Sequence, residues 1–163
     1  MSRTRSEYRL QFPWPLAVPS DESSPALVLR GVRLSDRSAT ARLLLEAYRG
    51  TIDDEGEGDV EAFQAIDDYF SHIIWSHSFV VLEGERMIAM SFVVVVDDRH
   101  YIDPVATTAS DKGRGIGRRA VIASLASLAA AGVSEVGATI TDGNTASARL
   151  FTSLGFERIG QWA

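Results

Sequence analysis

The chain contains no cysteine. Disulfides, cysteine nucleophiles and thiolate metal sites are therefore excluded. Histidine is scarce as well. His72, His77 and His100 are scattered, so no zinc site is expected, and His100 alone stands as a candidate acid–base group. Long apolar runs are missing: the longest, Met87 to Val96, is ten residues, too short to span a bilayer. Pro13, Pro15 and Pro19 break up the stretch from Leu10 to Ser20. No signal peptide is expected from such a stretch, and the reading is a cytoplasmic protein without a membrane partner. Lysine is almost absent, with fifteen arginines against the single Lys112. The formal charge of −6 argues against nucleic acid as a partner.

What is present is ordinary for one globular domain. The 163 residues are 45% hydrophobic and 23% charged, enough chain to bury a sizeable core. The charges are unevenly placed. Glu46 to Asp68 holds nine acids and one arginine, whereas Lys112 to Arg119 holds four cations and no acid. That basic patch coincides with Asp111-Lys112-Gly113-Arg114-Gly115-Ile116-Gly117-Arg118, which follows a β-prone run and opens an apolar helix. Glycines let the backbone bend and approach a ligand closely. The first turn of a helix offers N–H groups without intrahelical partners and favours negative charge. A phosphate or pyrophosphate is the expected ligand. A Walker loop is excluded because no Gly-Lys-Ser/Thr follows, and the dinucleotide fingerprint is disfavoured because position 118 is arginine.

The remaining elements follow from pattern. Residues 1–25, rich in Ser, Pro and Arg with Tyr8, Phe12 and Trp14 interleaved, read as an N-terminal extension: a loose tail, or an arm packing on the sheet or on a second subunit. The domain proper is 26–163. Residues 26–34 predict a strand, and Ser35 or Asp36 caps a helix to Arg49. An acidic loop follows, with Asp59 as cap of a second helix whose buried stripe is Phe63, Ile66, Phe70, Ile73 and Ile74. Strands are expected at 79–82, 87–96 and 100–107, joined by short turns as an antiparallel meander. The unbroken apolar run 87–96 implies cover on both faces. A helix at 115–131 directs Val121, Leu125, Leu128 and Ala129 to the sheet. A strand at 135–140 makes a parallel crossover, and a helix at 145–154 and a strand at 156–159 close an α/β domain with a mixed sheet.

Lys112-Gly113-Arg114-Gly115-Ile116-Gly117, then Asn144, then Leu154-Gly155-Phe156, stand in an order and spacing that resembles the GCN5-related N-acetyltransferase (GNAT) superfamily. The resemblance spans roughly 79–160 and, more loosely, 27–160. Lysine stands at 112 where the family usually has Arg or Gln. The resemblance implies a mostly antiparallel mixed sheet flanked by helices and splayed beside its fourth strand, here 100–107. It implies acetyl-CoA as cosubstrate, its pantetheine arm pairing with main-chain groups of Val105 and Thr107 like an added strand. The pyrophosphate then meets the N–H groups of Gly113, Arg114, Gly115, Ile116 and Gly117, with Lys112 and Arg118 nearby. Asn144 contacts the cofactor arm or holds the loop beside it, and capping the last helix is a plainer role compatible with either. A homodimer is in keeping with family habit.

The activity so implied is N-acetyl transfer to a small-molecule or peptide amine. The attacking nitrogen must be neutral. An alkyl ammonium with pKa near 10.4 costs about 4.6 kcal/mol to deprotonate at pH 7, an α-ammonium near 8 only about 1 to 1.4. Family bases are often carboxylates on the fourth strand. Asp103 lies there, and because side chains alternate along a strand, Tyr101, Asp103 and Val105 are expected to share one face; His100 and the acids of 53–59 stand behind it. Asp103 also reads as a plain carboxylate at a strand kink before Pro104. Where the family commonly has a tyrosine that protonates the leaving thiolate, this chain has Phe151. Tyr48, Tyr69 or water would substitute; alternatively the domain is a non-catalytic acyl-CoA-binding or sensing module. The acidic segment between the first two helices would attract a cationic acceptor.

Overall fold

Among the described residues, ten of the eleven principal elements arise where the patterns put them, and the eleventh is an addition at the N-terminus. The structure is a computed structural model describing residues 3–13 and 26–162. In chain order they are β1 (Arg5–Gln11), β2 (Leu27–Gly31), α1 (Arg37–Tyr48), α2 (Asp59–His72), β3 (Phe79–Glu83), β4 (Arg86–Val96), β5 (Arg99–Thr107), α3 (Ile116–Ala130), β6 (Glu135–Thr141), α4 (Thr145–Ser153) and β7 (Glu157–Gln161). The seven strands form one sheet in the order β2-β3-β4-β5-β6-β1-β7. All neighbours are antiparallel except β5 and β6, which run parallel across the α3 crossover. Among the described residues, no helix is long and apolar enough to cross a membrane.

The addition is β1. Residues 5–11 are not an extension outside the domain; they pair with β6 from Arg5↔Thr141 to Gln11↔Glu135 and with β7 on the other side. Trp14 and the rest of 14–25 lie outside the described residues. The strand escaped the pattern because only Leu10 is a fully buried apolar side chain in it. Ser6, Tyr8 and Leu10 point to one face and Arg5, Glu7 and Arg9 to the other, so its placement rests on two backbone ladders more than on apolar burial.

The core lies on both sides of β4. Met90, Phe92 and Val94 pack with α1 and α2, while Val93 joins the cluster under α3. Burial on both faces explains the unbroken apolar run. The α3 stripe is Val121, Leu125 and Leu128; Ala129 is exposed, and Ser124 takes a buried place instead, its hydroxyl 2.9 Å from that of Ser91. The helix starts differ in detail from expectation. Asp36 precedes α1, but its carboxylate turns back to accept from Arg30 (2.8 Å, twice) and from the Arg33 N–H. At α2 the cap is Gly58, whose N–H donates to Glu61 Oε2 at 3.0 Å, and Asp59 is already helical.

Two local features shape the centre of the sheet. First, β5 carries a bulge: Ser91 pairs with Val105 and Val93 with Ile102, so Phe92 alone opposes both Asp103 and Pro104. Proline has no N–H for the ladder and suits that unpaired position. The bulge breaks alternation, so Tyr101, Asp103 and Val105 do not share a face. Tyr101 and Asp103 turn to the α1/α2 side, whereas Val105 packs with the α3/α4 cluster. Second, β5 and β6 share a single pair, Tyr101↔Gly137. The Tyr101 ring lies over Gly137, where a Cβ would come 2.6 Å from it, and its hydroxyl donates to Glu7 Oε1 at 2.5 Å. Beyond that pair the two strands part.

Candidate active site

The parting of β5 and β6 opens a cavity of about 210 Å³. Ile102, Asp103 and Val105 form one wall, and Thr139, Ile140 and Thr141 the other. Tyr48, from the end of α1, and Phe151, from α4, contribute rings. Arg3 and Arg5, from the unforeseen β1 and the residues before it, also line the space. Because β5 beyond Tyr101 pairs only with β4, its edge toward the cavity carries N–H and C=O groups that no strand among the described residues meets, including those near Val105 and Thr107.

Asp103 sits at the bulge in the depth of this cavity. Tyr69 donates to its Oδ2 at 3.3 Å. Burial raises its pKa above the ordinary carboxylate value, and Arg5, Tyr69 and His72 only partly oppose that. Tyr69 and Tyr48 are pushed far up, first by burial and then by the Asp103 charge, so both keep their protons across the neutral range. His100, by contrast, is remote from the cavity. It pairs with Val95 at the opposite end of β5, its ring 6.4 Å from that of His77.

The acidic loop between α1 and α2 straps across the mouth. Asp53 accepts from Thr141 Oγ1 at 2.7 Å and from Asn144 Nδ2 at 3.1 Å. Asn144 also caps α4 through the Ser147 N–H at 3.1 Å, so its amide joins helix, loop and cavity. Arg3 holds the loop from the other side, donating to Asp54 O at 2.8 Å and pairing with Glu55 at 3.4 Å. Phe151 is nearly fully buried and packs edge-on against Phe156 with ring centroids 5.0 Å apart. No hydroxyl stands at that position.

The glycine turn lies between the end of β5 and α3. Gly113 and Gly115 have φ of 86° and 75°, the left-handed region that glycine occupies without strain. Among the described residues, no acceptor in the chain meets the N–H groups of Gly113, Gly115, Ile116 or Gly117. Gly117 packs closely on the strand end: a Cβ there would come 2.5 Å from Thr107 Oγ1, so that hydroxyl would have to move. The basic patch is less free than its composition suggests. Lys112 Nζ donates to Ala47 O at the end of α1 (2.9 Å). The guanidinium of Arg114 bridges Asp111 at 2.5 Å and Glu83 at 3.1 Å. Arg118 is half-buried at the first turn of α3.

Asp111 organises this loop, a role the sequence did not reveal. It is buried, and it accepts from Thr108, Ser110, Arg86 and Arg114. The Thr108 hydroxyl, against burial, and then Arg114 and Arg86 hold its carboxyl down to about 2. An acid just before a glycine turn with an arginine three residues on was the available signal. Because the folded pKa lies below that of an ordinary aspartate, ionised Asp111 stabilises the fold above about pH 4, and that contribution fades as pH falls toward about 2. Melting temperatures between pH 2 and 7 are therefore expected to fall less steeply on the acid side for Asp111→Asn than for wild type. Parallel curves would refute the assignment.

An open strand edge beside a splay thus leads into a glycine turn whose N–H groups meet no acceptor among the described residues. The chain belongs to the acetyltransferase (GNAT) family, whose model matches residues 39–156. Acetyl-CoA is the cosubstrate of that family, in agreement with the expectation from the motifs. No protein of curated function matches the chain by sequence. Solved structures match it in fold. A GCN5-related N-acetyltransferase from Sphaerobacter thermophilus superposes with TM-score 0.75 at 15% identity, covering 98% of this chain and 49% of its own. This chain thus spans about half the length of that protein. The ribosomal-protein-S18-alanine N-acetyltransferase of Escherichia coli matches with TM-score 0.65 at 18% identity, over 80% and 77% of the two chains. The yncA protein of Salmonella typhimurium, solved with its cofactor acetyl-CoA, matches with TM-score 0.65 at 20% identity, over 81% and 80%.

Proposed function

We propose that this chain transfers the acetyl group of acetyl-CoA to the amine of a small molecule or peptide, by direct attack of the nitrogen on the thioester. The observation that carries the reading is Asp103: a carboxylate of raised pKa, at a strand bulge, inside the cavity bordered by the open β5 edge. The residues fit the cosubstrate. Main-chain groups of Val105 and Thr107 would hold the pantetheine arm as an added strand. The N–H groups of Gly113, Gly115, Ile116 and Gly117 would receive the pyrophosphate, with Arg118 beside them. Lys112 and Arg114 would serve by fixing the loop, since Ala47, Asp111 and Glu83 engage their side chains. Asn144 would fix the loop and α4 beside the cofactor arm.

Bound acetyl-CoA supplies an activated acetyl thioester. Asp103 takes the proton of the acceptor ammonium, leaving the neutral nitrogen that forms the N–C bond; the proton which that nitrogen then loses balances the one given to the sulfur, and Tyr69 orients the carboxylate through its hydrogen bond. Tyr48 keeps its proton at neutral pH and is the donor to the sulfur as the C–S bond breaks, in place of the hydroxyl that Phe151 lacks. A thiol pKa near 8.5 keeps the demand for that donor modest. The acids of the loop draw the cationic end of an amine toward the mouth. The Escherichia coli neighbour, which acts on an alanine of a ribosomal protein, supports a primary amine as acceptor.

The test is amine-dependent release of CoA thiol from acetyl-CoA across a panel of amines. Release with at least one amine, and a rise in kcat on Phe151→Tyr, is the expected result. Binding of acetyl-CoA without turnover by either protein would favour a non-catalytic acyl-CoA-binding module, the reading that Phe151 itself suggests.

A further inference from the structure

The structure assigns to Arg5 the recognition of a carboxylate on the acceptor, which makes the acceptor an amino acid or another amine with a carboxylate a short chain away. This rests on the acetyltransferase reading and narrows its substrate class. β1 delivers Arg5 in register with Thr141, on the face of the sheet shared by Thr139 and Tyr101. That is the α1/α2 side, from which Asp103 is also reached.

Most ionised groups that line the cavity have partners within the chain. Asp53 is held by Thr141 and Asn144, Arg3 pairs with Glu55, and Glu57 accepts the Glu55 N–H at 3.0 Å. The guanidinium of Arg5 differs. It lines the cavity, yet among the described residues it meets no carboxylate and no other acceptor. Its charge nevertheless reaches the site, pulling Asp103, Tyr69 and Tyr48 down against burial. A guanidinium presents a planar fork that fits a carboxylate. One ligand would satisfy both ends: its nitrogen at Asp103 and its carboxylate at Arg5.

The cosubstrate phosphates are not the partner, because none of residues 112–117 lines this cavity. Arg5 lies outside residues 39–156, the stretch that the family model matches. An unpaired cation supplied by a strand outside the matched region is a determinant of acceptor choice rather than of acetyl transfer itself.

The experiment measures kcat/KM by thiol release at saturating acetyl-CoA. The panel is the common α-amino acids, the carboxamide of each, and matched primary amines without a carboxyl group. Wild type is expected to prefer the carboxylate member by about ten- to a hundredfold. In Arg5→Gln the ratio falls toward one through KM of the carboxylate member, and Arg5→Lys recovers part of it, having the charge without the fork. Thermal unfolding shows that both variants are folded. If wild type acetylates carboxamides or plain amines as well as amino acids, or if the ratio survives in Arg5→Gln, the inference fails while the acetyltransferase reading stands. Acetyl-CoA binding with no turnover of any panel member also overturns it. Absence of acetyl-CoA binding removes the underlying reading and the inference together.

Discussion

Gly115→Asp is expected to lose at least about a hundredfold in acetyl-CoA affinity, measured by calorimetric titration. Gly115 precedes Ile116, the first residue of α3, with φ of 75° and nothing within 4 Å of where a Cβ would stand. Space therefore does not forbid a side chain. The conformation is costly for most residues but is tolerated better by Asp and Asn than by others. What aspartate adds is a negative charge at the group of N–H donors proposed to receive the pyrophosphate. A unit charge about 5 Å from a doubly charged group costs several kcal/mol at an effective dielectric constant near 20, and each 1.4 kcal/mol is tenfold in affinity. Gly115→Asn is the control. It has the same shape and backbone demand without the charge, and is expected to retain affinity within about tenfold of wild type. Equal losses in both variants would mean that backbone geometry, not anion binding, is at issue. No loss in either would move the phosphate site away from this turn.

The glycine turn was legible because backbone geometry dictates it: φ near 80° leaves few choices but glycine, and this constraint is local. The same holds for β4 and for Val121, Leu125 and Leu128 of α3, where burial on known faces imposes a period; of the stripe expected on α2, Ile66 is buried within the helix, Phe63 and Phe70 are half-buried, and Ile73 and Ile74 lie past its end. The charged residues of the patch were not legible in the same way. Arg114 and Lys112 were adjacent in sequence to a phosphate motif, but their partners Glu83 and Ala47 come from β3 and α1, and only the folded chain brings them there. β1 failed for a related reason. Its residues alternate between charged and semi-polar side chains, and its slot is created by strands more than a hundred residues later. Arg5 consequently had no visible role. The misplaced face of Val105 has a more local cause: one extra residue in β5 inverts every side chain beyond it. Asp103 keeps the face of Tyr101, and the bulge turns only the residues after it.

Asp103→Asn follows from that position, and its effect is expected to depend on the acceptor. For an alkyl amine, kcat/KM at pH 7 is expected to fall by about 10²- to 10⁴-fold, the usual range for a general base. For an α-amine of pKa near 8 the fall is smaller, because about 1 kcal/mol rather than about 4.6 is needed to reach the neutral nitrogen. The pH profile carries the sign. Burial raises the Asp103 pKa, so in wild type the base form appears, and activity rises, as pH increases through a value above that of an ordinary carboxylate. This acid limb is absent from the variant. Stability moves the opposite way. A carboxyl whose folded pKa is raised destabilises the fold when ionised, and the penalty is relieved as pH falls through that pKa. Asparagine still accepts from the Tyr69 hydroxyl but never ionises, so the variant is expected to melt at a higher temperature than wild type near pH 7, with the two curves converging in acid. A slower but more stable enzyme is the signature of a carboxylate kept in place for its chemistry at a cost to the fold. Unchanged turnover with both acceptors, together with an unchanged acid limb, would return Asp103 to the simpler role of a polar side chain at a strand bulge and move the search for the base to the acids of the loop.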